Sequence, residues 1–228
     1  MELNLELNFQ SLWQLNQYII ACDKCPRLVE YRTRVAQVRT KRFLQWEYWG
    51  KPLPGFGDTN AEILIVGLAP AAHGGNRTGR MFTGDSSGDT LMASLYRVGL
   101  ASKPTSNDRY DGLKLWHVYI TAALRCAPPA NRPLREELEN CSIYLKWEFR
   151  LLKRLKVVVA LGGVAFNSCV RLLGFPAGEK FSHGAILRQG DLYLISSYHP
   201  SRRNTQTGLL KPEMLDSVFI QAKKLSGL

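Results

Sequence analysis

The residues best suited to chemistry lie in a long glycine-rich segment, residues 67–87, which reads GLAPAAHGGNRTGRMFTGDSS. An apolar run at 63–66 precedes it, so the segment leaves the carboxyl end of a predicted strand, where open α/β sheets bind ligands. Its glycines would let the backbone approach a ligand closely. The side chains that could grip that ligand are Asn76, Arg77, Arg80, Phe82 and Asp85. The alternative is a surface loop between a strand and a helix.

The cysteines form a second group with chemical potential. Cys22 and Cys25 make a C-x2-C pair, and Cys126 and Cys141 follow with 14 residues between them. Four thiolates suit either zinc or a [4Fe–4S] cluster. Plain burial is the alternative, because Cys22 and Cys141 also fit the apolar faces of predicted helices. Cys169 fits the apolar stripe of its own helix, and we expect it in the core.

Composition predicts one domain, residues 1–228, because 228 residues with 45% hydrophobic content can build one sizeable core. No apolar run approaches the roughly 18 residues of a membrane span. The start, Met1–Glu6, has no basic segment followed by an apolar one, so it does not resemble a secretory signal. We therefore expect a soluble intracellular protein, and the odd number of cysteines argues against a disulfide framework.

The charge balance favours polyanions as partners. Lys and Arg number 30 against 19 acidic residues, a net charge of +11, and such an excess attracts nucleic acid above all. A basic but otherwise indifferent surface is the alternative. Between residues 27 and 51 basic and aromatic residues alternate, a mixture that suits phosphate contact with base stacking. The aromatic residues of this stretch, some of which could belong to the core, are Tyr31, Phe43, Trp46, Tyr48 and Trp49.

Hydrophobic periodicity predicts helices and strands in alternation. The predicted helices span about 9–21, 28–38, 91–98, 133–152, 166–173 and 212–225, and the predicted strands span 61–67, 117–122, 157–161 and 192–196. Pro133 is expected in the first turn of its helix. The alternation predicts an α/β fold, a three-layer α/β/α arrangement with a central four-stranded parallel sheet. Three polar loops, 68–87, 125–132 and 199–208, should then meet at one edge of that sheet.

Together these loops resemble the uracil-DNA glycosylase superfamily, and more narrowly its family 5, the type-b enzymes of prokaryotes. The resemblance covers nearly the whole chain and depends on residues 67–85, 126–133 and 197–208. It implies that the cysteines hold a structural [4Fe–4S] cluster, which selects the cluster over zinc. The implied ligands are Cys22, Cys25, Cys126 and Cys141.

The resemblance implies an enzyme of base excision repair. Such an enzyme flips a deaminated base out of DNA, since a base inside the stack is sterically blocked, and hydrolyses its N-glycosidic bond. The site must stabilise positive charge on the sugar and negative charge on the departing base. The implied partner is DNA that contains uracil or other deaminated bases, in the prokaryotic cytoplasm with the chromosome. We expect a monomer with no membrane partner, and no sliding-clamp partner is identified.

The resemblance also implies roles for single residues. Phe82 would stack on the flipped base, Asp85 would orient or activate water, Asn131 would bond the base or the water, and His199 would donate to a base oxygen. The expected base-binding set is Gly67, Ala69, Phe82, Asn131 and His199, and the expected DNA-binding set is Arg80, Ser201, Arg202, Arg203, Asn204 and Gln206. Simpler alternatives are a core Phe82, a structural His199, and helix caps at Asp85 and Asn131.

Three positions depart from related branches of the superfamily, and the second of them affects specificity. Leu68 and Ala69 are apolar where other branches carry a polar residue that handles water. Thr121 and Ala122 stand where branches strict for uracil carry an Asn that reads the pyrimidine edge. Losing such a reader forfeits about 1–3 kcal/mol of discrimination, so we expect a looser pocket that accepts other deaminated bases, hypoxanthine among the candidates. Met81 replaces the Pro often found before Phe82.

Two other classes of protein compete with this interpretation. A nucleotide-binding or phosphoryl-transfer enzyme could use the glycine-rich loop, but the loop is neither G-x-x-x-x-G-K-[ST] nor G-x-G-x-x-G. A non-catalytic cluster protein could simply bind nucleic acid. Asp85 and His199 discriminate against it, because a mere binder has no need of a converging acid and imidazole.

Overall fold

The structure, a computed structural model, describes residues 8–176 and 178–228. The expectation for Met1–Glu6 lies outside the described residues, and the single domain over 1–228 stays a prediction. The described strands are β1 (Phe56–Gly57), β2 (Ile63–Gly67), β3 (Val118–Ala122), β4 (Val157–Leu161), β5 (Ile186–Gln189) and β6 (Leu192–Ser197). The described helices are α1 (Leu12–Ile20), α2 (Pro26–Val38), α3 (Gly75–Thr78), α4 (Ser86–Arg97), α5 (Arg135–Leu151), α6 (Gly163–Leu173), α7 (Arg202–Gln206) and α8 (Pro212–Ser226).

The described strands form one sheet in the order β1-β3-β2-β4-β6-β5. The four inner strands are parallel, with Ile65 of β2 paired to Ile120 of β3 and to Val159 of β4. The outer strands β1 and β5 run antiparallel to their neighbours. The predicted α/β class and its four parallel strands are therefore confirmed. The prediction of a four-stranded sheet missed the two edge strands, β1 and β5.

The missed strands lack the pattern that identifies the inner ones. All residues of β2, β3 and β4 are buried, as a parallel sheet covered on both faces requires. By contrast β1 has two residues, and β5 is mostly exposed. Short or polar edge strands are common because they discourage pairing with other chains.

Helices cover both faces of the sheet. Alternate residues of each inner strand point to opposite layers, so Leu64 and Val66 pack with α1, α5 and α6, whereas Ile63 and Ile65 pack with α4 and α8. Cys169 is fully buried in the first layer, which confirms its predicted place in the core. The three-layer prediction is thereby confirmed.

Helix α5 begins later than predicted. Leu134 is its N-terminal cap and Arg135 its first residue, so Pro133 lies outside the first turn. The carboxylate of Glu137 accepts a hydrogen bond from the Leu134 N–H at 2.7 Å, and this contact fixes the helix start. Helices α3 and α7, with four and five residues, occur where loops were predicted, since one turn shows no hydrophobic period.

None of the helices in the described part of the chain is both long and apolar enough to cross a membrane.

Candidate active site

The three predicted loops meet at the carboxyl edge of the inner strands, around a cavity of about 300 Å³. Residues 68–71 and 81–87 supply most of the wall, while Asn131 comes from the second loop, and His199 and Ser201 come from the third. Asp85, Asn131 and His199 line the same cavity, as the expected meeting of the three loops requires. Lining residues that the sequence did not single out for the base are Leu68, Pro70, Ala71, Met81 and Ser87.

Phe82 is held in the cavity wall by an unusual backbone conformation. Its φ of 48° is in the left-handed region, which costs a residue other than glycine about 1–3 kcal/mol. Gly67 makes room for the ring, because a Cβ there would lie 2.7 Å from Phe82 Cζ. Gly67 thus supports Phe82 and is not among the residues that line the cavity, and its contact with the base stays a prediction.

Asp85 combines a structural contact with a free oxygen. Its Oδ1 caps α4 by accepting hydrogen bonds from the N–H groups of Ser87 and Gly88, each at 3.0 Å. Its Oδ2 accepts no hydrogen bond from any described residue and lies against Gly74, where a Cβ would come within 2.0 Å. Burial raises the pKa of Asp85, although the two backbone hydrogen bonds oppose the rise. Helix capping is therefore one function of this carboxylate, and one oxygen is left for another.

His199 presents a neutral imidazole to the cavity. Burial lowers its pKa to about 4, so one ring nitrogen carries a proton and can donate at neutral pH. The ring stacks on Phe82 with centroids 6.0 Å apart and an interplanar angle of 29°. The side-chain amide of Asn204 donates to the His199 carbonyl at 2.9 Å. Asn204 therefore positions His199, and its contact with DNA stays a prediction.

Asn131 enters the cavity from a strained turn. Ala130 and Asn131 both have positive φ, at 51° and 55°, a region that Asn tolerates better than most residues. The side chain of Asn131 is exposed rather than buried. Since α5 is capped at Leu134, Asn131 does not cap that helix, and its amide is free to meet a ligand.

Arg80 is not at the surface where DNA would lie. It is 7% exposed and holds Asp111 through two hydrogen bonds of 3.0 and 2.7 Å. It also donates to Thr83 Oγ1 and Ser106 Oγ. The predicted DNA contact of Arg80 is therefore wrong, because its donors are used to brace the loop from behind.

The remaining residues of the predicted DNA-binding set lie on or beside α7. Arg202, Arg203 and Gln206 are exposed, as phosphate contact requires. Ser201 caps α7, where its Oγ accepts from the Asn204 N–H at 3.3 Å, and it also lines the cavity.

Thr121 turns away from the cavity. Its hydroxyl donates to the carboxylate of Glu148 at 2.8 Å, inside the layer of α5, and Glu148 also pairs with the buried Arg125. No side chain from this strand position therefore reads the edge of a bound base.

The four cysteines of the predicted cluster belong to the layer of α1 and α5 and lie near one another. Cys22 follows α1, Cys25 caps α2, Cys126 follows β3 and Cys141 lies on α5. Burial, with smaller contributions from Cys22 and Cys25, raises the pKa of Cys141 to about 12. Burial and Cys141 likewise raise the pKa of Cys126. Within the described residues, no three His, Cys, Asp or Glu side chains are arranged to hold a metal ion.

Sequence comparison places this site in a known family. The model of the Uracil DNA glycosylase superfamily matches residues 54–223. A type-5 uracil-DNA glycosylase of Mycobacterium leprae is 49% identical, over 96% of this chain and 97% of the relative. Two relatives come from Pyrobaculum aerophilum: its type-5 uracil-DNA glycosylase is 46% identical over 92% and 91% of the two chains, and its type-4 enzyme is 31% identical over 83% of each. The chain therefore belongs to the type-5 branch of the uracil-DNA glycosylase superfamily.

Proposed function

We propose that this chain is a uracil-DNA glycosylase that removes deaminated bases from DNA and leaves an abasic site. The observation that carries the proposal is the convergence of Asp85, Asn131 and His199, from three separate loops, on a cavity walled by Phe82. Pockets that hold small ligands begin at about 300 Å³, and this cavity has that volume. The extruded base would stack on Phe82, since stacking on an aromatic ring contributes about 1–3 kcal/mol.

Asp85 would act on water. As the N-glycosidic bond breaks, its electron pair passes to the base, and a water oxygen forms the new bond to the sugar carbon. The free Oδ2 of Asp85 can accept a hydrogen bond from that water and then take its proton, because the raised pKa makes Asp85 a better base than an ordinary carboxylate. Its negative charge also stabilises the cationic sugar.

His199 and Asn131 would act on the base. A neutral imidazole cannot supply a full positive charge, but its N–H can donate to a base oxygen as negative charge develops there. The pKa of about 4 keeps His199 in this neutral form. Asn131 offers both a donor and an acceptor at the mouth of the cavity, so it can bond the base or the water.

The composition of the wall supports a broad substrate range. Leu68, Ala69, Pro70, Ala71, Met81 and Phe82 contribute apolar surface, which recognises shape and stacking rather than a single hydrogen-bond pattern. The Thr121 hydroxyl donates its hydrogen bond to Glu148 and is therefore not available to read a base. We propose that the enzyme accepts hypoxanthine in addition to uracil.

The direct test uses oligonucleotides that carry one uracil, one hypoxanthine or one xanthine, with a matched thymine control. After incubation, alkali should cleave the strand at uracil and at hypoxanthine and leave the thymine strand intact. No cleavage at uracil would contradict the proposed activity. Cleavage at uracil alone would contradict only the broad range.

We further propose that Cys22, Cys25, Cys126 and Cys141 hold a structural [4Fe–4S] cluster. The set is all sulfur, which suits iron–sulfur ligation, and the thiols are near enough to perturb one another. A cluster separates its ligands more widely than a single ion does, so the proposal is compatible with the lack of a single-ion arrangement among the described residues. Burial raises the pKa values of Cys25, Cys126 and Cys141, so these thiols would stay protonated without metal and must release protons when they bind it.

The cluster is tested by colour and metal content. The purified protein should be brown, absorb at about 400 nm and contain about four irons. Cys141→Ser should lose most of the absorbance, whereas Cys169→Ser, whose sulfur is in the core, should keep it. A colourless protein with one zinc would contradict the cluster.

A further inference from the structure

A second, wider concavity continues the active-site cavity across the protein surface. Its volume is about 860 Å³, and it shares Ala71, Asp85 and Asn131 with the cavity. We call it the flanking groove. The side chains that give it chemical character are Tyr31, Arg42, Phe43, His73, Arg202 and Gln206. Most of them come from α2, the turn after it and α7, so the groove joins the basic and aromatic stretch of the sequence to the active site.

The flanking groove is positively charged. Arg42 and Arg202 are exposed, and neither forms an ion pair with a described residue. Asp85 is the one carboxylate among the lining residues, and it lies at the edge that the groove shares with the active-site cavity. Exposed arginines without acidic partners favour an anionic ligand such as a phosphodiester.

A buried cation lies directly behind the groove wall. Arg77 is 3% exposed, donates to the carbonyls of His73 and Gly84 at 2.8 and 2.9 Å, and leaves Nη1 without a partner among the described residues. Its guanidinium lies 4.0 Å from the ring centroids of both Phe43 and Trp46. Arg77 therefore fixes Phe43 in the wall and adds positive potential from beneath it.

The groove also offers aromatic surface beside its charges. Tyr31 and Phe43 are half-buried, so each keeps part of its ring available to a ligand. The guanidinium of Arg42 lies 5.1 Å from the Phe43 centroid. A base stacked on an aromatic ring, with its phosphate at a neighbouring arginine, is the arrangement by which proteins bind unpaired nucleotides.

We propose that the flanking groove binds the nucleotide next to the extruded one on the damaged strand. Its base would lie on Tyr31 and Phe43, and its phosphates would contact Arg42 and Arg202. The proposal rests on the proposed function, because continuity with the active-site cavity makes the neighbour of the extruded nucleotide the segment that reaches the groove. Tyr31, Arg42 and Phe43 are then binding residues for substrate DNA.

The experiment measures kcat/KM for single-stranded oligonucleotides in which uracil has zero, one, two or three nucleotides on its 5′ side or on its 3′ side, and for the longest of them annealed to a complementary strand. Wild type is compared with Tyr31→Ala, Arg42→Gln and Arg42→Lys. Matched controls are Tyr96→Ala on α4 and Arg171→Gln on α6, both exposed and outside the two concavities. Melting temperatures verify that every variant is folded.

For wild type, adding a nucleotide on one of the two sides should raise kcat/KM about fivefold or more, the effect expected of one stacked base. Tyr31→Ala and Arg42→Gln should lose most of that gain and keep the gain on the other side. Arg42→Lys should recover part of it, since its charge remains. Arg42→Gln should also reduce the slope of log affinity against log salt by about one, whereas Tyr31→Ala should not. Both control variants should match wild type.

Two results would overturn the inference alone while uracil is still excised from the longest strand. One is an unchanged gain in Tyr31→Ala and Arg42→Gln. The other is a loss of kcat/KM in these variants that appears only when the complementary strand is present, which would mean that the groove binds that strand instead. If wild type excises nothing from the longest oligonucleotide, the proposed function fails, and this inference fails with it.

Discussion

Asp85 belongs to the glycine-rich loop and Asp111 binds Arg80 of the same loop, and the two carboxylates have opposite electrostatic surroundings. Burial raises the pKa of Asp85, and two backbone N–H groups and the more distant charge of Arg77 offset that rise only in part. Burial would also raise the pKa of Asp111, but hydrogen bonds from Arg80, Leu113 and Asn107 outweigh it and lower that pKa to about 2. One carboxylate is fully compensated and the other is left partly unsatisfied.

This difference separates structure from chemistry within one loop. A carboxylate whose oxygens all accept hydrogen bonds is a poor base, but it holds its neighbours in place. A buried carboxylate with a free oxygen can accept a proton more readily. Asp111 and Arg80 hold the loop from behind, and Asp85 faces the cavity. Substitutions in the cavity should therefore slow uracil excision, whereas a substitution at Asp111 should mainly reduce stability.

Asp85→Asn should reduce single-turnover excision about 10²–10⁴-fold, the usual contribution of a positioned acid–base group. The Asn amide oxygen can still cap α4, so DNA binding should persist. Since the folded state raises the pKa of Asp85, its ionised form costs stability at neutral pH, and the variant should melt at the same temperature or higher. Unchanged excision would remove Asp85 from the mechanism.

Gly74→Ala should displace the Asp85 carboxylate without changing its chemistry. A Cβ at Gly74 would lie 2.0 Å from Oδ2, and a misplacement of about 1 Å can cost about 100-fold in rate. Gly163→Ala is the matched control, because its Cβ would meet nothing closer than 3.9 Å. The measurement is single-turnover excision at saturating enzyme, and equal rates for the two variants would show that the position of Oδ2 is unimportant.

Phe82→Ala should weaken excision by about 5–150-fold, which corresponds to the loss of about 1–3 kcal/mol of stacking. Phe82→Leu should retain part of the activity through apolar contact. The effect should appear in kcat/KM for DNA with uracil. A variant as active as wild type would contradict the placement of the base on this ring.

Asp111→Asn should affect stability far more than chemistry. It leaves Arg80, which is 7% exposed, without its charged partner, and breaking such a pair costs about 3 kcal/mol. The melting temperature at pH 7 should fall, while excision per folded molecule stays within a few-fold of wild type. Because the folded-state pKa is lowered, the difference in stability should be present above pH 3.8 and vanish as the pH falls toward about 2.

The inner strands and the meeting of the loops could be predicted from the sequence for a simple reason. Unbroken apolar runs such as 157–161 occur only where both faces of a strand are buried, and parallel strands bring their carboxyl ends to one edge. Asp85 and His199 follow two such strands, so their convergence followed from the order of the elements.

The pairing of side chains across loops could not be predicted in the same way. Arg80 and Asp111 are 31 residues apart in segments without periodicity, so nothing in the sequence distinguishes a buried Arg80 from an exposed Arg202. The same holds for Asn204, whose amide supports the His199 carbonyl, and for Gly67 and Gly74, whose value lies in the side chains that pack against them.

The pH dependence of single-turnover excision tests the role of Asp85 most directly. The ionised carboxylate should be required, so the wild-type rate should fall on the acidic side with a midpoint above 3.8, the ordinary pKa of Asp. Asp111→Asn should keep that midpoint, and the residual activity of Asp85→Asn should lack it. An identical acid limb in Asp85→Asn, or none in wild type, would contradict the assignment of Asp85 as the group that acts on water.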